Sequence, residues 1–562
     1  MIYPKIELAQ LIVNACEHHK IETVVISPGS RNAPLIIGFH NNKKITTLSI
    51  VDERSAAFFA LGIAQQTQKP VALVCTSGSA LLNYYPAIAE AYFSNIPLII
   101  LSADRPKHLL NIGDGQTINQ KNVFKNHILM SVDLQENTFK NNYTKQNFNI
   151  VNKAFEKAIL KKGPIHINIP FSEPLYETTL NGIDFPNIQP NLPQNILTEK
   201  PLDVDELSKF ATLWNNSKKK MVLIGVNYPS ELLQTQINKL VQDSSVLVLT
   251  ETTSNIYHKN LINGIDKLIS PLSDEEKEDL KPEILLTFGG MVVSKKIKQF
   301  LRKHQPKHHW HIDQKTSLNT YHCLSHSFNI SIELFFSQFF FLTKEQKSTY
   351  QEHFLDLQKQ RTVLHENYLK TALYSDLKVF DTLVKSIPKN YQIQFSNSSI
   401  IRYSQLFNLD KSHSIFCNRG TSGIDGSTST AVGASYASKQ KTLFITGDIS
   451  FFYDSNAFWN NYIKPDLRIV IINNSGGGIF RFIPGPQTTN ALSYFETSHQ
   501  LNAKNTCLMH GLMYKKASNL DELTTQLKTF YNKSTKAKVL EIFTPKDKND
   551  IILKEYFSKL NG

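Results

Sequence analysis

Short apolar runs alternate with helix-like stretches along about the first 180 residues of the chain. The runs are rich in Val and Ile and have no polar face, which is typical of strands buried on both sides of a parallel sheet. Between them, apolar positions recur at helical spacing. The strand-like runs are 23–26, 48–51, 71–75, 98–101 and 165–169, and the helical stretches are 56–65 and 80–92. The alternation predicts βαβ units around a parallel sheet.

The same alternation returns twice further along the chain. Strands are predicted at 221–226, 246–250 and 284–288, and then at 414–417, 442–446, 467–472 and 537–542. A Pro- and Asn-rich stretch and a polar helical stretch separate these blocks. The chain is therefore predicted to be an α/β protein of three doubly wound parallel-sheet domains. The predicted parts are an N-terminal domain 1–180, a linker 181–201, a central domain 202–345, a helical connection 346–376 and a C-terminal domain 377–562.

The composition is that of an ordinary soluble globular protein, with 41% hydrophobic and 19% charged residues among 562. The most apolar stretch, 334–342, is much shorter than the roughly 20 residues that cross a bilayer, so no membrane span is expected. The N-terminus lacks the basic and apolar regions of a signal peptide. The five cysteines form no CxxC pair, which predicts free thiols in a reducing cytoplasm and no zinc site.

The net charge of +13 comes from lysines that are scattered along the chain. No zinc-finger or RNP-type pattern accompanies them, so nucleic acid is not an expected partner. A solvated basic surface is the simpler interpretation of the charge. The functional alternative is a positive funnel that attracts small polyanionic substrates to an active site.

Two polar motifs follow predicted strands of the third domain. Asp448 lies in Gly-Asp-Ile-Ser after one strand, and Asn474 lies in Asn-Asn-Ser-Gly-Gly-Gly after the next. Ligands of open α/β sheets bind beyond the carboxyl ends of the strands. A carboxylate, an amide oxygen and a backbone carbonyl, which Gly476 can offer, suit the oxygen shell of Mg²⁺. An ordinary βα loop is the alternative for either motif alone, but the pair matches the thiamine-diphosphate signature of GDx followed by NN.

A carboxylate in the first domain fits the same chemistry. Glu53 lies where a predicted strand meets an Ala-rich helix. Thiamine catalysis needs one carboxylate that is hydrogen-bonded to the pyrimidine ring, while the cofactor supplies the carbanion chemistry. A helix N-terminal acid favoured by the macrodipole is the alternative for Glu53 taken alone. The presence of the Asp448 and Asn474 pair favours the catalytic interpretation.

Eight segments spread over almost the whole chain carry a resemblance to a known family. They are SPGSRNAPL (27–35), DERSAAFFALGIA (52–64), TSGSALLNYYPAIAEA (76–91), LSADRP (101–106), GPIHINIPFSEPLY (163–176), NRGTSGIDG (418–426), GDISFFYD (447–454) and NNSGGGIFRFIPG (473–485). With them the chain resembles the 2-succinyl-5-enolpyruvyl-6-hydroxy-3-cyclohexene-1-carboxylate synthase family of thiamine-diphosphate enzymes. Other thiamine enzymes share GDx and NN, but SPGSR, ADRP and the GTSGIDG region together point to this family.

The resemblance implies a transferase reaction of menaquinone biosynthesis. Members of the family decarboxylate 2-oxoglutarate on thiamine diphosphate and add the succinyl carbanion to isochorismate by 1,4-addition, with release of CO2. The implied metal is Mg²⁺, with Mn²⁺ as an alternative. Such enzymes place the cofactor between the first domain of one subunit and the third domain of another. A cytoplasmic homodimer or homotetramer is therefore expected.

Matching the motifs position by position implies roles for individual residues. Glu53 would activate the pyrimidine, and Asp448, Asn474 and the Gly476 carbonyl would bind the metal. The other cofactor contacts would be Ser398, Ile424 (the wedge that keeps the cofactor bent), Gly447, Ser450, Ile479, Phe480 and Ile483. The substrate contacts would be Ser30, Arg31, Arg105, Gln116, Lys295, Arg402, Arg419 and Phe480. Arg402 or Arg419 would hold the distal carboxylate of 2-oxoglutarate, because guanidinium groups bind carboxylates bidentately. A surface position is the alternative for any single Arg.

Two positions depart from the family pattern, and a group of histidines needs an interpretation. Lys296 stands where an Arg is expected and keeps the charge without the planar fork. Gly115 stands where some relatives have Asn. The histidines of the middle block are predicted to lie on a solvated strand edge rather than in a metal site. They are His304, His308, His309 and His311.

Three other functions are alternatives. Another 2-oxo acid carboligase would share the cofactor, but the basic residues of the predicted substrate site argue against a small apolar substrate. An inactive homologue would not need Glu53, Asp448 and Asn474 to be intact. A Rossmann nucleotide-binding protein would carry GxGxxG after its first strand, and this chain does not.

Overall fold

Three six-stranded parallel sheets form the architecture of the chain, as seen in a computed structural model that describes residues 2–138, 141–183, 199–483 and 485–561. A short antiparallel pair of strands forms a separate two-stranded sheet. Alternate residues of one strand enter different hydrophobic cores, as Leu73 and Val74 do. Both faces of the sheet are therefore covered, and the predicted class of three doubly wound α/β domains is confirmed.

The first sheet has a core built from the strands predicted in the first block. The strands are β1 (Tyr3–Pro4), β2 (Thr23–Ile26), β3 (Thr46–Ser49), β4 (Val71–Cys75), β5 (Leu98–Asp104), β6 (Met130–Asp133), β7 (Ile165–Pro170) and β8 (Thr178–Thr179). The helices are α1 (Glu7–His18), α2 (Ala33–Asn41), α3 (Glu53–Thr67), α4 (Ser79–Asn83), α5 (Tyr85–Phe93) and α6 (Thr144–Lys161). The strand order is β3-β2-β4-β5-β7-β6, and β1 pairs with β8 apart from this sheet.

The middle sheet has a different strand order, β11-β10-β9-β12-β13-β14. Its strands are β9 (Lys220–Ile224), β10 (Val246–Thr250), β11 (Leu261–Ile262), β12 (Ile284–Phe288), β13 (His308–Ile312) and β14 (His326–Phe328). The helices of this part are α7 (Val204–Asn216), α8 (Glu231–Leu240), α9 (Ile265–Ile269), α10 (Asp274–Leu280), α11 (Lys295–Lys303), α12 (Ile332–Leu342) and α13 (Tyr350–Thr371). The long polar helix α13 lies within the predicted helical connection.

The third sheet repeats the strand order of the first, as β16-β15-β17-β18-β20-β19. Its strands are β15 (Tyr391–Phe395), β16 (Ser414–Cys417), β17 (Lys441–Gly447), β18 (Arg468–Asn473), β19 (Met513–Ala517) and β20 (Lys538–Phe543). The helices are α14 (Asp376–Ser386), α15 (Ser399–Ser404), α16 (Ser427–Ala437), α17 (Asp448–Tyr453), α18 (Leu492–Glu496), α19 (Lys504–Met509), α20 (Leu520–Phe530) and α21 (Asn549–Lys559). The chain order reverses between β15 and β17, which is where ligands bind in such sheets.

One predicted helix is divided in the structure. The stretch 80–92 forms α4 and α5, with the boundary at Tyr84. Pro86 lies in the first turn of α5, where its missing N–H leaves no helix bond unmade. Most of the predicted linker 181–201 lies outside the described residues. No described helix combines the length and apolarity that crossing a bilayer requires.

The first and third domains pack against each other through α3 and α16. A Cβ on Gly62 would collide with the Thr430 carbonyl, and a Cβ on Gly433 would collide with the Phe59 carbonyl. The two helix backbones therefore approach each other more closely than side chains would allow. This packing fixes the start of α3, which carries Glu53, relative to the third domain of the same chain.

The middle domain is tied to the third domain by polar contacts at the ends of strands. Asn255 and the Ile415 backbone exchange two hydrogen bonds of 2.8 and 2.9 Å. The Lys267 ammonium, which is buried, donates to the Leu406 carbonyl at 2.9 Å. These contacts hold the segment after β10 against β16, and α9 near the end of α15.

Candidate active site

Glu53 begins α3 directly after the carboxyl end of β3. The side chain of the preceding Asp52 caps the helix by accepting a hydrogen bond from the Ser55 N–H at 3.0 Å. The Glu53 carboxylate, which is half-buried, accepts from the Asn83 amide at 3.1 Å. Because Asp52 already serves the helix end, the Glu53 carboxylate remains available for another partner.

Arg31 and Ser30 follow β2 in the same domain. The Arg31 side chain is buried and donates to the Phe171 carbonyl at 2.9 Å and to the Glu173 carboxylate at 3.2 Å. Its Nε is buried without a partner among the described residues. Ser30, which precedes Arg31 in the same loop, is exposed to solvent. Arg31 is thus held rigidly, and its role as a direct substrate ligand stays a prediction.

Arg105 and Gln116 lie on one loop after β5. The Arg105 guanidinium donates twice to the Gly115 carbonyl, at 2.9 and 3.2 Å, and lies 3.3 Å from the Asp114 carboxylate. Gln116 is exposed and has a positive φ of 53°. A Cβ on Gly115 would meet no atom within 4 Å, so the side chain that some relatives carry there would fit sterically. The structure therefore brings Arg105, Gly115 and Gln116 together.

The third domain gathers the predicted metal ligands at the ends of β17 and β18. The buried Asp448 carboxylate accepts from the Ile449 N–H at 2.7 Å and from the Gly476 N–H at 2.9 Å. The Gly476 carbonyl accepts one bond from Gly478 at 3.0 Å and keeps a second lone pair. His499 lies beside them, with its Nε2 3.3 Å from the Asp448 carboxylate. The hydrogen bond from the Gly476 N–H to Asp448 brings the two motifs into contact.

The hydrogen bonds of Asn474 show whether the predicted metal ligands fit a cation. Its amide nitrogen donates to the Asp376 carboxylate at 3.0 Å. Its amide oxygen is buried and has no hydrogen-bond partner among the described residues. A buried acceptor without a partner is costly, and a bound cation would satisfy it. The described residues contain no cluster of three or more His, Cys, Asp or Glu side chains suited to a metal.

The other predicted cofactor contacts surround this pair. Ser450 is buried and donates to the Ile424 carbonyl at 2.8 Å, which links α17 to the segment before α16. Ser398 has a positive φ of 69° at the start of α15 and follows β15, the strand that pairs with β17, which ends at Gly447. The remaining apolar contacts are half-buried in the loop after β18. They are Ile479, Phe480 and Ile483.

Arg402 and Arg419 form a cluster of cations where the third domain meets the middle domain. The buried Arg419 donates to the Asn397 side chain at 2.8 Å and contacts the Met291 sulfur at 3.6 Å. The Nε atoms of both arginines are buried without partners among the residues described. Burial and the charge of Arg419 both lower the pKa of Arg402. An anionic ligand would relieve this repulsion.

Glu251 and Lys298, which the sequence analysis did not single out, adjoin this cluster. The Glu251 carboxylate lies after β10 and accepts from the Val293 and Ser294 N–H groups at 2.6 and 2.7 Å. It thereby fixes the entry to α11. Burial lowers the pKa of Lys298, the charge of Glu251 raises it, and the charge of Arg419 lowers it, so these three groups lie near one another. Polar residues just after a buried strand are a signal that could have indicated Glu251.

The two lysines at the start of α11, Lys295 and Lys296, have different surroundings. Lys295 begins the helix and is exposed. The Lys296 ammonium donates to the Ser270 hydroxyl and lies 3.8 Å from the centre of the Phe557 ring. Lys296 therefore makes a cation–π contact with Phe557 on α21 and does not join the arginine cluster. Lys298, one turn beyond Lys295, lies on the same face of the helix as Lys295.

The histidines of the middle block are not on a solvated edge, and that prediction was wrong for most of them. His309 and His311 are buried on β13, which lies between two other strands, and both contact the Thr287 hydroxyl at 2.9 Å. His304 is buried against Glu278 at 2.6 Å, and only His308 is partly exposed. The Thr287 hydroxyl provides a hydrogen-bond partner for one nitrogen of each ring, so both imidazoles can be buried in the sheet without a metal.

Glu251 predicts a pH dependence of stability. Burial raises the pKa of Glu251 from its ordinary 4.5 to about 7, against the smaller opposing effect of its two backbone hydrogen bonds. Between about pH 4.5 and about pH 7 the folded chain holds a proton that the unfolded chain releases, so the contribution of this group to stability falls as the pH rises. We expect Glu251→Gln to remove this decline, which amounts to about 3 kcal/mol. Thermal unfolding of both proteins across this range measures the difference, and parallel pH profiles would contradict it.

The similarity of the chain to known proteins extends over its full length. Residues 6–128 match the family described as "Thiamine pyrophosphate enzyme, N-terminal TPP binding domain", and residues 196–395 match "Middle domain of thiamine pyrophosphate". Three relatives are named 2-succinyl-5-enolpyruvyl-6-hydroxy-3-cyclohexene-1-carboxylate synthase. They come from Flavobacterium johnsoniae (51% identical, 100% of both chains), Christiangramia forsetii (52%, 99% of both) and Phocaeicola vulgatus (35%, 98% of both). The resemblance found in the eight segments is thereby confirmed.

Proposed function

The chain belongs to the 2-succinyl-5-enolpyruvyl-6-hydroxy-3-cyclohexene-1-carboxylate synthase family, and we propose that residues at the carboxyl ends of its first and third sheets perform the family's reaction. It is a thiamine-diphosphate-dependent transferase of menaquinone biosynthesis that joins the succinyl unit of 2-oxoglutarate to isochorismate. Bound thiamine diphosphate supplies the carbanion chemistry. The chain's own residues bind the substrates, orient them and hold one proton.

We propose that Glu53 holds that proton against the pyrimidine ring. Its carboxylate is half-buried at a helix start that Asp52 already caps, and among the described residues its side-chain hydrogen-bond partner is the neutral amide of Asn83. A neutral amide orients the carboxylate without neutralising its charge. The domains of residues 1–180 and 377–562 would then hold the pyrimidine and the diphosphate, with 202–345 closing the substrate side.

We propose that Asp448, Asn474 and the Gly476 carbonyl bind Mg²⁺ or Mn²⁺ beside the diphosphate. The buried Asn474 oxygen, which has no partner among the described residues, and the mixed oxygen donor set support this assignment. Gly447, Ser398 and Ser450 would contact the diphosphate. Ile424 would support the bent cofactor, and Ile479, Phe480 and Ile483 would line the site beside it.

We propose that Arg402 and Arg419, with the added charge of Lys298, bind the distal carboxylate of 2-oxoglutarate. Both arginines have a buried Nε at the domain junction that finds no partner in the described parts of the chain, which supports an anionic ligand there. Isochorismate would contact the residues of the first domain and the start of α11. These are Ser30, Arg31, Arg105, Gln116 and Lys295.

Arg31→Ala should separate the two half-reactions. Loss of a charge-assisted contact is worth about 1.5–3 kcal/mol, so kcat/KM for isochorismate should fall about 10- to 100-fold. CO2 release from 2-oxoglutarate alone should change little. Arg31→Lys is the matched variant, because it keeps the charge and loses the planar fork. Equal losses in both assays would contradict the proposed role of Arg31.

We further propose a homodimer or homotetramer in the cytoplasm, with each site shared between subunits. Exposed apolar side chains near the start of α3 support an interface there. They include Val51, Leu82, Tyr453 and Trp459. Free thiols, of which four are buried, agree with a reducing compartment.

Mass spectrometry of the product tests the function most simply. Purified protein with 2-oxoglutarate, isochorismate, thiamine diphosphate and Mg²⁺ should yield the named cyclohexene carboxylate and CO2. The observation that carries the proposal is structural: Glu53 lies at a strand end of the first domain, and Asp448 and Asn474 lie at strand ends of the third. The full-length relatives that share one name agree with it. CO2 release without the adduct would indicate a different acceptor. If neither CO2 nor the adduct formed, the proposal would be refuted.

A further inference from the structure

The two ends of the Asn474 amide are nearly the same size, but only the oxygen can bind a cation. An asparagine at a metal site therefore needs a neighbour that selects its orientation. In this chain the amide nitrogen donates to Asp376 at 3.0 Å, while the amide oxygen is buried without a partner among the described residues. The neighbour lies 98 positions earlier in the chain, at the start of α14.

Burial and hydrogen bonds hold the Asp376 carboxylate in one position. It is 1% exposed. One carboxylate oxygen accepts from the Thr544 hydroxyl at 2.6 Å, the other accepts from Asn474, and the Asp376 N–H donates to the Asn549 side chain at 2.8 Å. Thr544 follows β20 and Asn474 follows β18, so two segments hold the carboxylate, while Asn549 at the start of α21 holds the backbone of the same residue.

Both carboxylate oxygens of Asp376 accept hydrogen bonds, one from the Thr544 hydroxyl and the other from the Asn474 amide nitrogen, so the side chain receives the nitrogen end of Asn474. We propose that Asp376 is the positioning residue of the cation site: it holds the Asn474 amide nitrogen and thereby turns the amide oxygen toward the cation. This inference rests on the proposed function, because it takes Asp448 and Asn474 to be the metal ligands. Partners behind metal ligands commonly contribute a factor of about 10–100 to metal affinity.

A purely structural role for Asp376 is the competing explanation, since it also joins α14 to Thr544 and Asn549. Asp376→Asn distinguishes the two, because an amide has the same size but presents either a donor or an acceptor to Asn474. The matched control is Asp381→Asn. Asp381 is a buried acid on the same helix that pairs with Lys378 and Lys385 and does not contact Asn474.

The test measures free Mn²⁺ by electron paramagnetic resonance during titration of the full chain with thiamine diphosphate present. Asp376→Asn should weaken Mn²⁺ binding about 10- to 100-fold, while Asp381→Asn keeps the parental affinity. Activity of Asp376→Asn should recover when Mg²⁺ is raised. Thermal unfolding without cofactor should shift no more in Asp376→Asn than in the control.

Parental Mn²⁺ affinity in Asp376→Asn, or an equal loss in both variants, would overturn the proposal. If Asp376→Asn did not fold, Thr544→Val would replace it, since that change releases one carboxylate oxygen and should weaken Mn²⁺ binding in the same direction. Parental affinity in that variant would count against the proposal equally. A parent chain that binds no Mn²⁺ with the cofactor would instead refute the metal assignment of the proposed function.

Discussion

Glu53→Gln is expected to abolish turnover while thiamine diphosphate still binds. Glutamine keeps the shape of the side chain and its contact with Asn83, but it cannot hold the proton that the pyrimidine must exchange. Groups that move a proton in catalysis contribute about 10²- to 10⁴-fold, so product formation should fall within that range. Single-turnover product analysis and equilibrium binding of the cofactor measure the two effects separately.

The control for this variant is Asp52→Asn, which alters the neighbouring acid at the same helix end. Asparagine still caps a helix, so both turnover and stability should stay near the parental values. If Glu53 were only an acid favoured by the helix dipole, the two variants would behave alike. Undiminished turnover in Glu53→Gln would remove Glu53 from the mechanism.

Asp448→Ala is expected to abolish binding of the cofactor itself. The change removes one of three proposed ligands and also the acceptor for the Ile449 and Gly476 N–H groups. The loss of metal affinity should exceed the about 100-fold that loss of a supporting partner costs. Calorimetric titration with thiamine diphosphate and Mg²⁺ measures it. Asp448→Asn retains one oxygen ligand and should lose less, and parental binding in the alanine variant would contradict the assignment.

A mixed dimer shows whether the two sites are shared between subunits. One chain carries Glu53→Gln and the other carries Asp448→Ala, and differently tagged chains allow the mixed species to be isolated. If Glu53 and Asp448 of one site come from different subunits, one of the two sites is intact in the mixed dimer. About half of the parental activity is then expected. An inactive mixed dimer would mean that each site is built within one chain.

The strand ends could be predicted from the sequence, whereas the contacts behind them could not. Glu53, Asp448 and Asn474 each follow an apolar run, so the rule that ligands gather at the carboxyl ends of strands applies to them. Asp376 gives no such signal, since an acid at a helix start is explained by the helix alone. Its partnership with Asn474 exists only once the third sheet is folded.

The burial of several polar side chains could also not be predicted from the sequence pattern. His309 and His311 lie in a polar stretch, which favoured a solvated edge. The structure buries both because the Thr287 hydroxyl of the neighbouring strand contacts each ring at 2.9 Å. Lys298 follows Lys295 by one helical turn, and its place near Arg419 depends on how the folded chain positions α11, whose start is held by Glu251.

A crystal structure of the chain with thiamine diphosphate and Mg²⁺ tests the central claim most directly. The account predicts the Glu53 carboxylate at hydrogen-bond distance from the pyrimidine ring, about 2.6–3.2 Å. It also predicts a cation bound by Asp448, Asn474 and the Gly476 carbonyl at about 2.0–2.1 Å. A pyrimidine ring remote from Glu53, or a cation held by other residues, would contradict it.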